Sequence, residues 1–194
     1  MSFIKFLLKM ERKGRKGVPG IIRVRVKDLG QLFNSMDPSP FEERDLDEDA
    51  EAFIESWAFE YPASSTLSLE VIVEQDPPQG MDEAFLGWSI HHFYEHKADI
   101  KGREFRQLMR EGRVALLIGL LSLGLCFVAS GFLANIQNQT LGRFLGEGFL
   151  IAGWVSMWKP IQIHLYDWWP LLRKARVYAK MSRMKVSLKK VSGK

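Results

Sequence analysis

Val114 to Ile136 reads VALLIGLLSLGLCFVASGFLANI, with no charged side chain anywhere in it. A helix over that stretch covers about 34 Å at about 1.5 Å per residue, enough for a hydrocarbon core about 30 Å thick. Its polar positions form no stripe, so it is not the apolar face of a surface helix. The stretch predicts a transmembrane helix over about 114–136.

A second apolar run follows, and its length predicts a returning span over about 148–169. Only FLIAGWVSMW, residues 149–158, is free of charge there. Pro160 has no amide hydrogen, so the Ser156 carbonyl loses its helical partner and the helix should bend. At 100° per residue, Ser156, Lys159, Gln162, Tyr166 and Asp167 share one side. Trp154, Trp158, Ile161, Leu165, Trp168 and Trp169 gather on the other. Two geometries stay open. The helix continues past the bend, with Lys159 reaching the cytoplasmic face and Tyr166, Trp168 and Trp169 forming an interfacial belt. Alternatively the span ends at Trp158 and residues 161–172 lie flat among headgroups. The first leaves the two spans equal in length and is the reading adopted.

The flanking bases orient such a pair. Arg103, Arg106, Arg110 and Arg113 precede the first span, and Arg173, Lys174, Arg176 and Lys180 follow the second. Arg143 is the only base in the intervening loop. Positive residues stay in the cytoplasm, which places both termini inside. The net charge of +4 averages unequal blocks: a basic start, an acidic stretch from Asp28 to Glu60, and a tail whose charged side chains after Pro170 are all Lys or Arg. This pattern suits anionic lipid on one surface. No nucleic-acid module is present, so nucleic acid is not expected as a partner. The single cysteine, Cys126, excludes an intrachain disulfide framework. The first residues lack a cleavage site and a long enough apolar core for a secretory signal; Phe3, Ile4, Phe6, Leu7 and Leu8 among lysines suit a membrane surface, with a frayed basic tail as the alternative.

Residues 18–112 read as a small domain. Ile22, Val24 and Val26 alternate with Arg23, Arg25 and Lys27, and Leu67, Leu69, Val71 and Val73 repeat that period, predicting two strands. Asp45 or Asp47 caps a helix whose Ala50, Phe53, Ile54, Trp57 and Ala58 form one stripe. A second helix starts near Met81 and runs toward the membrane, with Gly102 as a bend. Two strands bury too little alone, and the alternating stretch 183–190 predicts a third; an unpaired basic tail is the alternative.

The expected fold class is therefore α/β: a small cytoplasmic α/β sandwich plus a transmembrane α-helical hairpin. Its parts are a basic amphipathic segment at 1–17, the domain at 18–112, the two-helix hairpin at 113–170 and the basic tail at 171–194.

Candidate chemistry is sparse. Lys159, Gln162 and Asp167 form a polar cluster at membrane depth, where ionisable groups are costly unless paired or hydrated. Ala115, Gly119, Ser122 and Cys126 in the first span, with Gly148 and Ala152 in the second, are small enough to let helices approach, within one chain or between copies. His92, Glu95 and His96 match the H-x-x-E-H pattern of inverted zinc peptidases. A third protein ligand is missing: the one later glutamate outside that helix, Glu147, falls across the membrane. A solvated helix face explains the match. Acids in DLDEDAE suit a helix start rather than calcium, lacking the glycine turn of an EF-hand loop. No cofactor motif is present, so neither a cofactor nor a bound metal is expected.

LGQLFNSMDPSPFEERDLDEDAEAFIESWA together with IAGWVSMWKPIQIHLYDWWP resembles a family of uncharacterised bacterial membrane proteins in which a small cytoplasmic domain precedes two spans. The resemblance covers most of the chain. It implies a bacterial inner-membrane site and supplies no activity and no functional residues. The expected function is a non-enzymatic membrane accessory or scaffold protein, self-associating or part of a larger complex, with its acidic stretch presented to a partner. A homo-oligomeric channel with a polar path along the second span is the alternative, and a zinc metallopeptidase a remote one.

Overall fold

The computed structural model describes residues 20–38, 44–62, 65–77, 80–133 and 139–190. The basic segment 1–17 and the last residues of the first apolar run, 134–136, lie outside them. The chain divides into two compact units, one of residues up to Ile100 with those from Lys174 onward, the other Lys101–Arg173.

The first unit is built on three strands, β1 (Gly20–Val26), β2 (Leu67–Val73) and β3 (Lys185–Lys190), all parallel and in the order β1-β2-β3. Parallel neighbours cannot be joined by a tight turn, so each connection has to be long. Helix α1 (Glu48–Glu60) lies between β1 and β2 in sequence, and everything from residue 74 to residue 184 separates β2 from β3. Ile22 stands opposite Leu69, which stands opposite Val186, so the alternating apolar residues align across the sheet. One face is consequently buried. The other carries Arg23 and Lys189, both bonded to Glu70 at 3.0 and 2.9 Å.

Three helical stretches cover the buried face. Asp47 caps α1, its Oδ1 accepting from the amides of Asp49 and Ala50 at 3.1 and 3.4 Å. Glu48, Asp49 and Glu51 in the first turn complement the helix dipole, which accounts for the acidic run. Ile54 and Ala58 enter the core, but Phe53 and Trp57 remain 44% and 43% exposed. The core-facing stripe is thus narrower than its apolar content suggests. Helix α2 (Glu83–Leu133) contributes Leu86, Ile90 and Tyr94, spaced four apart and fully buried. Val177, Tyr178 and Met181 come from the end of α5 (Trp168–Met181). Full burial of each such aliphatic side chain contributes about 1.5–3 kcal/mol. The outer edge of β3 is not left bare: Glu83 Oε2 accepts from the Leu188 amide at 3.1 Å.

The second unit contains the later part of α2, then α3 (Gln139–Ser156), α4 (Trp158–Gln162) and a π-helical turn (Ile163–Asp167) that leads into α5. Helix α2 has 51 residues and passes through Gly102 without interruption.

Two expectations need correction. The protein is predominantly helical with a small parallel sheet, not an α/β sandwich. Nor is there a two-span hairpin: among the described residues only α2 is long and apolar enough to cross a membrane. The second run fails as a span because it is polar at its start and broken in its middle. It becomes helical already at Gln139, taking Arg143 and Glu147 into α3. It then breaks at Met157, whose amide turns back to the Trp154 carbonyl at 3.1 Å. Pro160 withholds an amide one turn later, and the π turn follows. Hydropathy summed across 148–169 passes over these interruptions, which are consequences of backbone hydrogen bonding.

Candidate functional site

In the second unit, the apolar part of α2 presents its side chains outward. Leu121, Leu125, Phe127 and Phe132 are each at least 68% exposed, and the most apolar window of the helix is only 6% buried. Exposed apolar side chains grouped in this way mark a surface that contacts lipid or another protein. One helix of this protein is therefore long and apolar enough to cross a membrane.

Within the same unit, α2 packs antiparallel against the following helices through glycines. A Cβ on Gly153 would lie 2.9 Å from Leu123 Cδ1 and 3.1 Å from Cys126 Cβ. On Gly146 it would lie 3.2 Å from Ser130 Oγ, on Gly119 3.0 Å from Met157 Sδ, and on Gly112 2.7 Å from Ile163 Cγ2. Partner numbers fall as α2 numbers rise, which defines the antiparallel sense. Gly112 and Gly119 are seven residues apart, as are Gly146 and Gly153, and a seven-residue repeat keeps one seam of each helix on its partner. Ser156 Oγ adds a bond to the Gly119 carbonyl at 3.3 Å. Of the six small residues singled out from sequence, Gly119 and Cys126 lie on this seam. Gly148 faces open space, Ala152 is exposed, Ser122 is half-buried and Ala115 borders a groove on α2. Gly112, Gly146 and Gly153 escaped that reading, although their spacing was visible.

The polar cluster is brought together only in part. Gln162 Nε2 donates to Asp167 Oδ1 at 3.3 Å across the π turn. Lys159 is exposed and forms no ion pair among the described residues. The turn is closed by His164, whose Nδ1 lies 2.8 Å from the Pro160 carbonyl, and by Trp168 Nε1, which donates to the His164 carbonyl at 2.8 Å. These side-chain bonds tie the carbonyls of Pro160 and His164 within and after the turn, where helical spacing changes. Tyr166 is 69% exposed, and Trp168 and Trp169 meet edge to face with centroids 5.6 Å apart.

A second polar constellation, in the first unit, has no local sequence signature. Lys97 Nζ from α2 sits between Glu51, with which it pairs, and Glu55 at 3.2 Å, both from α1. It also lies 5.0 Å from the Phe93 ring centroid and 5.8 Å from that of Tyr178. Tyr178 donates its hydroxyl to Glu55 Oε2. Burial raises the Glu51 carboxyl above its ordinary value, against the opposing bond from Lys97. Beneath them lies Tyr94, wholly buried, its hydroxyl without a hydrogen-bond partner among the described residues. Desolvation, with the Glu55 and Glu51 charges adding to it, drives the Tyr94 phenol far above its ordinary value, so it stays neutral. The constellation fastens α1, α2 and α5 together.

His92 stacks on Trp88, with ring centroids 5.1 Å apart and planes nearly parallel, while Glu95 and His96 are exposed. Among the described residues, no three His, Cys, Asp or Glu side chains converge to hold a metal ion. Comparison with family models, with curated proteins and with solved structures gives no match, so the resemblance to a bacterial membrane-protein family gains no support there.

Proposed function

We propose that this chain is a non-enzymatic membrane accessory protein, anchored by the apolar part of α2 and docking a partner through the outer face of α1. The observation that carries the docking is the Phe53–Trp57 pair. These rings, with centroids 6.3 Å apart, stand exposed on a helix whose adjoining stripe, Ile54 and Ala58, is wholly in the core. Asp49 and Glu60 flank them on the same helix face, exposed and without an ion pair among the described residues. Exposed aromatic pairs ringed by charge are the usual anchors of protein interfaces. The flanking acids select a partner with basic residues beside an apolar recess. Arg103, Arg106, Arg110 and Arg113, ahead of the apolar stretch, favour the cytoplasmic side of a bacterial inner membrane for the first unit. A channel has less to build on, since Lys159 does not join Gln162 and Asp167.

Purification from membranes in mild detergent, with the wild type beside Phe53→Ser/Trp57→Ser, tests the reading. A partner recovered stoichiometrically with the wild type and lost from the variant supports it. A wild type that elutes alone, or a partner kept by the variant, overturns it.

A further inference from the structure

Just before its charge-free stretch, α2 borders an open, shallow groove of about 740 Å³. Its described lining comes from one face of this helix alone and differs in chemistry at its two ends. Arg106 and Arg110 stand at one end, a helical turn apart. Val114, Ala115 and Ile118 line the other, reaching about 12 Å along the axis beyond Arg110. Gln107 Nε2 donates to Glu111 Oε1 at 2.9 Å, so the one carboxylate among the groove's described lining residues is engaged by an amide of its own helix. Both arginines are exposed, and neither forms an ion pair among the described residues.

We infer that this groove binds one molecule of anionic phospholipid, its phosphate on Arg106 and Arg110 and an acyl chain along Val114, Ala115 and Ile118. The inference rests on the proposed anchoring of α2 in a membrane. A guanidinium presents two parallel N–H donors to a phosphate, and two guanidiniums a turn apart can both reach one. An inorganic phosphate would satisfy the arginines and leave the apolar wall exposed. A zwitterionic lipid would bring its own cation to two positive side chains. Charge followed by apolar wall along a single helix face is the order of headgroup and tail in a lipid leaflet, and the groove lies where the charged part of α2 gives way to its apolar part. Charge-assisted bonds at such a boundary are less screened than in water.

The test uses the full chain in mixed micelles of phosphatidylglycerol and phosphatidylcholine, with retained lipid counted by mass spectrometry. Wild type should retain phosphatidylglycerol in preference. Arg106→Gln/Arg110→Gln should weaken that preference by roughly tenfold for each arginine lost. Ala115→Trp, which fills the tail wall without altering charge, should also expel the lipid, and excess inorganic phosphate should not. Equal retention by the double variant, no effect of Ala115→Trp, or displacement by phosphate overturns the inference. Alkaline extraction of the same membranes separates the two readings. A wild type released by it ends the anchoring, whereas a resident protein without lipid preference ends the groove alone.

Discussion

Tyr178 donates its hydroxyl to Glu55 Oε2 over 3.1 Å, joining α5 to α1 across 123 positions of sequence. Its ring also stacks near Tyr94 and meets Phe59 edge to face, with centroids at 6.2 and 6.0 Å. The hydroxyl thus satisfies one carboxylate of a pair whose other claimant is Lys97. Tyr178→Phe keeps the ring contacts and deletes this bond, so the expected loss is about 1 kcal/mol in denaturant unfolding. Lys97→Met removes the ammonium shared by Glu51 and Glu55 and leaves two carboxylates facing each other. It should cost more, about 1–2 kcal/mol after allowance for the partial exposure of all three groups.

Tyr94→Phe should behave in the opposite way. The Tyr94 hydroxyl is buried without a partner, so removing it abolishes a desolvation cost and sacrifices no bond. Stability should rise, by up to about 1 kcal/mol, in the same unfolding experiment. A loss of stability would mean that the hydroxyl is hydrogen-bonded in the folded protein.

Two glutamates give the first unit opposite responses to pH. Burial raises the Glu51 carboxyl above 4.5. Its contribution to stability is therefore fully present below about pH 4.5 and is lost as pH rises through the folded value. Glu70 is lowered, first by the bond from Lys189 and then by that from Arg23. Its contribution is present above the ordinary carboxylate range and is lost as pH falls through its folded value. Melting temperature followed against pH should show Glu51→Gln flattening the decline toward neutral pH. Glu70→Gln should flatten the decline on the acid side. An unchanged profile in either variant contradicts the corresponding shift.

What could be read along the chain was whatever has a local period. Ile22 and Val24, like Leu67, Leu69, Val71 and Val73, alternate because one face of a sheet must be buried, and that period survives in sequence without knowledge of the partner strand. Lys97 illustrates the opposite case. Its carboxylate partners lie 46 and 42 positions away, and nothing near it distinguishes it from the unpaired bases of the same helix. The stripe on α1 was overextended for a related reason: Phe53 and Trp57 are apolar at helical spacing, but hydrophobicity alone does not tell a core residue from an exposed anchor. The second apolar run was misjudged because hydropathy adds side chains, whereas its path is set by a missing amide at Pro160 and by the π turn after it. The bend at Pro160 was foreseeable; the wider hydrogen-bond spacing beyond it was not.

The glycines of the second unit allow a sharper test, because they divide by what a side chain would meet. Gly148, like Gly124 and Gly131, faces open space, so Gly148→Ala adds a methyl group where nothing opposes it. Removing helix glycines at such positions is stabilising by roughly 0.5–1 kcal/mol. At Gly153 the added Cβ would lie 3.4 Å from the Leu123 Cα and closer still to Leu123 Cδ1 and Cys126 Cβ. Backbone stands behind those side chains, so the helices must separate rather than repack. Gly153→Leu should cost about 1–3 kcal/mol. Cys126, the only thiol in the chain, lies directly at this contact and reports the separation. In detergent, Gly153→Leu should speed alkylation of Cys126 by N-ethylmaleimide roughly tenfold, matching a cost near the lower end of that range. Gly148→Ala should leave the rate as it is. Equal rates in the two variants would mean that the α2–α3 seam does not run through Gly153.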